Sequence, residues 1–240
     1  MADTIREQII SALETRLAQI ATSRGYNTAA GTNVFRARME VNPDDMPCVV
    51  VFPKPEQVER QTYKEQTHTM EVILEAFNVV GSSNASEVAE LLLGDLVECA
   101  TARRWTLDYV SGGVEEIEAG DTITGATSGA TAVVDAVEPD SGTWAGGDAA
   151  GTLTLRRVNG TFQNGENLNI SSQNNVATTS STASKETPET GVTGGLAEDI
   201  RYVRGGPEGY PSGEETHVGT SITLEITYKT VPGNPYAQPS

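Results

Sequence analysis

The sequence predicts an α+β fold: helices packed on a mainly antiparallel sheet, with a small all-β module, a barrel or sandwich, inserted into it. Three observations predict it. Residues 3–24 and 84–104 carry apolar side chains at three- and four-residue steps, the period of an amphipathic helix. The segments around them alternate with period two or run apolar for a few residues, as strands do. From about Val114 to Thr187 the composition shifts to Gly, Thr, Ser, Ala and Asn, and from Gly195 the earlier character returns. The chain is therefore divided into a discontinuous α+β domain, 1–113 plus 194–240, and an inserted Gly/Ser/Thr-rich β-module with linkers, 114–193. A domain that accepts so large an insert has a surface loop whose ends lie close together.

In the first helix Ile5, Ile9, Ala12, Leu13, Leu17 and Ile20 share a face; Asp3 can cap its start and Gly25 its end. Residues 34–41 read as a strand with Arg36 and Arg38 on one face. Asn42-Pro43-Asp44-Asp45 is a turn. Residues 47–52 form a short apolar strand, closed by Pro53-Lys54-Pro55. In the strand 66–80, Met70, Val72, Leu74 and Ala76 alternate against Glu71, Ile73, Glu75 and Phe77, so one face is the more apolar. The second helix starts at Asn84, with Glu87 three residues on in a capping-box pattern. Its buried stripe is Val88, Leu91, Leu92, Leu96, Val97 and Cys99, and Arg103 and Arg104 suit the negative end of its dipole. A strand begins at Trp105 and is interrupted by Ser111-Gly112-Gly113. After the insert come a strand at 195–204, a long turn at 205–213, a last strand at 217–230 and a proline-rich extended tail.

The insert carries a weak internal repeat. Ala119-Gly-Asp-Thr-Ile-Thr-Gly-Ala-Thr-Ser-Gly-Ala-Thr-Ala-Val-Val aligns with Asn164-Gly-Glu-Asn-Leu-Asn-Ile-Ser-Ser-Gln-Asn-Asn-Val-Ala-Thr-Thr. Between them Gly151-Thr-Leu-Thr-Leu-Arg-Arg-Val alternates like a strand. Short strands joined by Gly-Asp, Asn-Gly and Ser-Gly turns make a small barrel or sandwich. Its core would be Ile123, Val133, Val137, Leu153, Leu155, Val158, Phe162, Leu168 and Ile170; the alternative is a disordered low-complexity loop.

Composition narrows the function. The net charge is −17, from 16 basic and 33 acidic residues. That balance argues against tight binding of phosphate backbones, which needs Lys and Arg, and suits a surface that nucleic acid passes without sticking. Hydrophobic residues make up 37% and aromatics 5%, so the core should be aliphatic. Cys48 and Cys99 read as buried free thiols in a reducing compartment. No apolar leader and no stretch near 18 apolar residues is present, so the protein is expected in the cytosol when made.

Motifs that carry chemistry are scarce. The glycines form no phosphate loop, and no Gly-x-Ser-x-Gly elbow occurs. His68 and His217 fall in strands, where two residues on a solvated face are the expected reading. Asp44-Asp45 reads as a turn, and Glu115, Glu116 and Glu118 lack calcium-loop spacing. Arg36, Arg38, Arg60, Arg103 and Arg104 read as solvated or ion-paired. No catalytic residue, cofactor or metal is assigned, and the chain reads as a building block rather than an enzyme. The polar, turn-rich segment from Pro53 through Tyr63 is the candidate subunit or tube contact, with Lys54, Glu56, Arg60 and Tyr63 as its residues.

Spread along the outer domain is a pattern that resembles the tail terminator (tail completion, minor tail) proteins of long-tailed bacteriophages. Its carriers are Ile5-Arg-Glu-Gln-Ile-Ile-Ser-Ala-Leu, Met46-Pro-Cys-Val-Val-Val-Phe-Pro, Glu56-Gln-Val-Glu-Arg and Met70-Glu-Val-Ile-Leu-Glu-Ala. The helix from Ala85 to Val97, Tyr210-Pro, His217-Val-Gly and Ile226-Thr-Tyr-Lys-Thr complete it. The insert departs from it, and its Gly-Asp-Thr-Ile-Thr-Gly-Ala-Thr-Ser-Gly-Ala run is similar to small β-modules of phage virion proteins. The resemblance implies a hexameric ring in the virion neck, assembled in the host bacterial cytoplasm. The ring would cap the tail tube, stop its polymerisation and dock it to the head connector protein, with DNA passing unbound and no membrane involved. Three other readings stand beside it: a tail tube or other neck subunit; a carbohydrate-binding or adhesion module centred on the insert, in which Trp144 and Phe162, with Tyr109 just before the insert, stack on sugar; and a hydrolase, against which the lack of a catalytic constellation argues.

Overall fold

The computed structural model describes residues 2–60, 62–80, 84–113, 115–185, 193–209 and 217–239. In chain order the elements are α1 (Ile5–Leu17), β1 (Asn33–Arg36), β2 (Cys48–Arg60), β3 (Gln66–Val79), α2 (Ala85–Thr101), β4 (Trp105–Gly112), β5 (Thr122–Gly125), β6 (Thr131–Ser141), β7 (Ala149–Asn159), β8 (Asn167–Asn169), β9 (Ala177–Thr179), β10 (Ser184–Lys185), β11 (Asp199–Gly209) and β12 (His217–Thr230). Short 3₁₀ turns lie at Thr22–Arg24, Ala30–Thr32, Pro43–Asp45 and Trp144–Gly146.

This corrects the expected fold class. The chain is not an α+β arrangement of helices on an antiparallel sheet. It is mostly β, with 45% strand and 20% helix, built from a closed six-stranded barrel and a mixed sheet. The excess of strand has identifiable sources. β2 does not stop at Phe52 but runs through Pro53 and Pro55 to Arg60, because its second half is an edge, where a missing N–H costs no ladder bond. β11 continues to Gly209 through what reads as a turn. The first helix ends at Leu17, with Ala18 as its cap, well short of Arg24.

The chain forms two compact units. The first comprises Met1–Ala21, Tyr26–Ala102 and Pro188–Ser240. Its sheet has the order β1-β2-β3-β12-β11; β1 runs parallel to β2 and every other pair is antiparallel. Thr4 caps α1 by accepting from the Glu7 N–H at 3.1 Å, and Asn84 caps α2 by accepting from Ser86. One apolar cluster contains Ile9, Leu13 and Leu17 of α1, Leu92 and Leu96 of α2, and Val72, Leu74, Leu224 and Ile226 of the sheet. Leu91, expected inside, is exposed. A carboxylate instead sits on the buried stripe of α2: Asp95, fully buried, accepts from the backbone and side chains of both Asn27 and Thr28 at 2.7–3.1 Å. Those four bonds fix the turn after Tyr26 and satisfy the buried charge.

The second unit comprises Thr22–Gly25 and Arg103–Thr187. β4 therefore belongs here and not with 1–113, since it pairs with β7, β9 and β10. The barrel order is β4-β7-β6-β5-β8-β9, closed by the pairing of β4 with β9. Its core is Ile123, Val134, Leu153, Leu155, Phe162, Leu168 and Ile170 with Leu107, Tyr109 and Trp144, while Val137 and Val158 pack at its margin. The internal repeat is a structural repeat. Gly120 donates to Val134 and Val134 to Asp121, both at 2.8 Å; Gly165 donates to Thr179 and Thr179 to Glu166, both at 2.9 Å. Ile123 faces Ala132 across one hairpin as Leu168 faces Ala177 across the other, and β5 pairs with β8 to join the copies.

Two arginines are fully enclosed in this unit. Arg104 Nε lies 2.9 Å and Arg156 Nε 3.5 Å from the carboxylate of Asp135. Arg156 also donates to the Arg24 carbonyl, which ties Thr22–Gly25 to the barrel. Arg104 thus does not cap the second helix: that helix ends at Thr101, and the side chain belongs to a buried ion network.

Candidate functional site

The four candidate contact residues on and beyond β2 fall into different environments. A bulge between Pro53 and Glu56 re-aims the strand, after which Glu56 lies opposite Met70 and faces inward. Glu56 accepts from Tyr228 Oη at 2.6 Å, Arg6 Nε is 3.2 Å from the same oxygen, and His68 Nδ1 is 3.1 Å from the other. Its neighbours therefore fix it as an internal brace. Lys54 stays at the surface, its ammonium 5.4 Å from the Phe52 ring centroid, beside a shallow groove also lined by Pro55, Gln57, Thr69, Glu71 and Glu225. Tyr63 is 76% exposed past the end of the strand, with Lys64 Nζ 5.7 Å from its ring centroid. Arg60 closes β2 opposite Gln66; its side chain lies outside the described residues, as do Tyr210 and Pro211.

His68 is not on a solvated face, as its sequence position suggests, but buried. Its ring stacks on Tyr228 at 4.7 Å, and Nε2 lies 2.8 Å from the Thr230 hydroxyl. Burial first, and then the Glu56 hydrogen bond, push the Tyr228 phenol far above its usual range. Thr, His and Glu are thus aligned in one chain of contacts, but Thr230 is 1% exposed and presents no nucleophile to a substrate. β3 and β12 do pair, yet His68 sits opposite Tyr228 and His217 opposite Val79, so the two histidines lie at opposite ends of that pair.

Arg36 and Arg38 are ion-paired. Arg36 bridges Glu7 and Glu14 at 2.5 and 2.6 Å, and its hydrogen bond holds the Glu7 carboxyl below its usual range. Arg38 meets Asp45 at 2.6 Å. Both cysteines are buried and neither forms a disulfide; burial raises the Cys48 thiol to about 11, far from a reactive thiolate. Glu75 stands on the sheet face away from the main core, with Ile73 and Phe77 on the same face of its own strand and Val50 opposite. Burial, and then the charge of Glu208, raise its pKa. Among the described residues no cluster of His, Cys, Asp or Glu is arranged to hold a metal ion, and no helix is long and apolar enough to cross a membrane.

What the first unit does present is two unlike free edges on one sheet. β1 covers β2 only as far as Val51. Beyond the two prolines Gln57, Val58 and Glu59 have no strand on their outer side among the described residues, and Val58 is 52% exposed. At the other end β11 pairs with β12 and, among the described residues, with no other strand, and Val203 is bulged out and 50% exposed. In the second unit Tyr109 stacks on Trp144 at 5.2 Å, and both, with Phe162, are buried in the barrel core. The aromatics that an adhesion module would turn toward sugar are enclosed.

No family model matches the chain, and no curated protein matches it.

Proposed function

We propose that this chain is a structural virion subunit that forms a ring at the head-proximal end of a phage tail, ends tail tube polymerisation and joins the tail to the head connector. The observation that carries the reading is the pair of unlike edges on one sheet. Two different edges on one subunit favour heterologous, head-to-tail contact, and such contacts close into a ring when the rotation per subunit allows. The net charge of −17 supports passage of DNA through such a ring without adhesion. The resemblance of the outer-domain sequence to tail terminator proteins suggests the place in the virion and the sixfold number. Nothing in the reading needs a catalytic group.

A phage carrying a stop codon early in the reading frame of this chain tests it. Tails of irregular length, or full heads separate from tails, are expected, and complementation in trans should restore joined virions. Normal, infectious virions made without the chain would overturn the reading. A defect in which no tube forms at all would favour a tube subunit instead.

A further inference from the structure

The two free edges of the first unit match each other in direction, face and charge. Each link from β2 through β3 and β12 to β11 is antiparallel, so β11 runs antiparallel to β2. A second copy placed beside the first with its sheet facing the same way therefore brings its β11 antiparallel to the β2 of its neighbour, the pairing with perpendicular hydrogen bonds. The faces agree as well. Val58 lies opposite His68, and Tyr202 opposite Leu224, so both belong to the face that carries the main core. Glu59 lies opposite Thr67, while Arg201 lies opposite Glu225 and Arg204 opposite Thr223, so all three belong to the other face. One joined sheet would set exposed Val58 near Tyr202 and Val203 on one side, and acidic Glu59 near basic Arg201 and Arg204 on the other.

Both edges also carry devices that restrict open-ended pairing. Pro53 and Pro55 remove donors from β2 just before the free stretch, and register shifts interrupt β11 between Tyr202 and Arg204 and between Pro207 and Gly209. Among the described residues a short stretch near the end of the β2–β3 pair, Gln57 to Arg60, is left to accept a strand. The existing contact of Arg201 with Glu225, 2.6 Å on an exposed surface, is of the weak kind that a new partner can replace.

We propose that β11 of one copy adds to the Gln57–Arg60 stretch of β2 in the next copy, and that this strand addition is the contact that builds the ring. The occupant of each edge is thus a second copy of this chain. The inference rests on the ring reading above and adds to it which residues meet.

The test uses the full chain carrying Val58→Cys and Val203→Cys together, and each alone, under mild oxidation. Native Cys48 and Cys99 are buried and do not compete. The double variant should give a disulfide-linked ladder on denaturing gels up to the ring number, and the single variants should stay monomeric on the same gels. A ring-sized double variant without a ladder, or linked dimers from either single variant, would overturn the strand addition while leaving the ring in place. A monomeric wild-type protein would overturn both. Charge reversal supplies an independent measure: Glu59→Arg should raise the half-assembly concentration roughly tenfold, and adding Arg204→Glu should recover most of the loss. Unchanged assembly in Glu59→Arg would overturn the proposal.

Discussion

Asp121 and Glu166 do the same work in two copies of one hairpin. Asp121 Oδ2 accepts the Glu118 N–H at 2.8 Å, and Glu166 Oε1 accepts the Gln163 N–H at 2.6 Å, each three residues back along the chain. Each acid follows a glycine with positive φ, Gly120 at 102° and Gly165 at 81°. The copies then diverge. Glu166 also reaches the N–H groups of Thr127 and Ser128 and the Ser128 hydroxyl, so it pins the turn of the first copy as well as its own.

That second task makes Glu166 an acid-sensitive point of the barrel. Burial pushes its pKa up, but the donors from Ser128, Gln163 and Thr127 outweigh burial, and the net shift is downward from 4.5. A lowered folded pKa contributes stability that is complete above about pH 4.5 and is lost as pH falls through the folded value. Glu166→Gln should therefore destabilise the barrel by about 2 kcal/mol at pH 7 and flatten the acid limb of its stability curve. Urea melts between pH 3 and 7, followed by the fluorescence of buried Trp144, measure both.

In the first unit, Asp95→Ala removes the acceptor of four hydrogen bonds and leaves the donors of Asn27 and Thr28 unpaired against α2. A loss of about 3 kcal/mol is expected, with Asp95→Asn intermediate because it keeps one acceptor oxygen. A shift in the urea midpoint of this unit reads the effect, and a midpoint within error of wild type would show that the clamp does not hold the fold.

Glu56 and Lys54 should separate cleanly. Glu56→Ala removes the partner of Tyr228, Arg6 and His68 and should cost the monomer about 2 kcal/mol. Lys54→Glu acts at a half-buried side chain over Phe52 and beside Glu75 and should cost the melt less than about 1 kcal/mol. Equal effects on the melt would contradict the internal role of Glu56.

The location of β4 makes a sharper deletion test. Replacing 103–187 with a short Gly/Ser linker should leave the first unit folding cooperatively, since loop-closure entropy grows only with the logarithm of length. Replacing 114–193 instead leaves β4 without β7, β9 and β10 and exposes Leu107 and Tyr109. That shorter cut should yield aggregation-prone protein, seen by light scattering at the same concentration.

Period-two and helical patterns made much of this legible. β12 spans the residues that its alternation marks, the repeat at 119 and 164 aligns residue for residue with paired hydrogen bonds, and most of the aliphatic barrel core is readable. What stayed hidden depends on contacts distant in sequence. Nothing local shows that Trp105–Gly112 closes a barrel with β9, because closure is a property of the far end of the insert. Prolines 53 and 55 read as a stop because edge position is a tertiary fact. Asp95 did leave a signal: it sits between Leu92 and Leu96 on the buried stripe of α2, where a carboxylate requires donors from elsewhere. Arg104 and Arg156 left none, because their common partner, Asp135, is fixed only by the barrel fold.

As proposed, this chain closes into a ring. Negative-stain class averages of the purified full-length protein, with the mass measured by light scattering on the same sample, test it most directly. Closed rings with rotational symmetry are expected, with a mass six times that of the 25.4 kDa chain. A single species at the mass of one chain across the micromolar range, or open filaments, would contradict it.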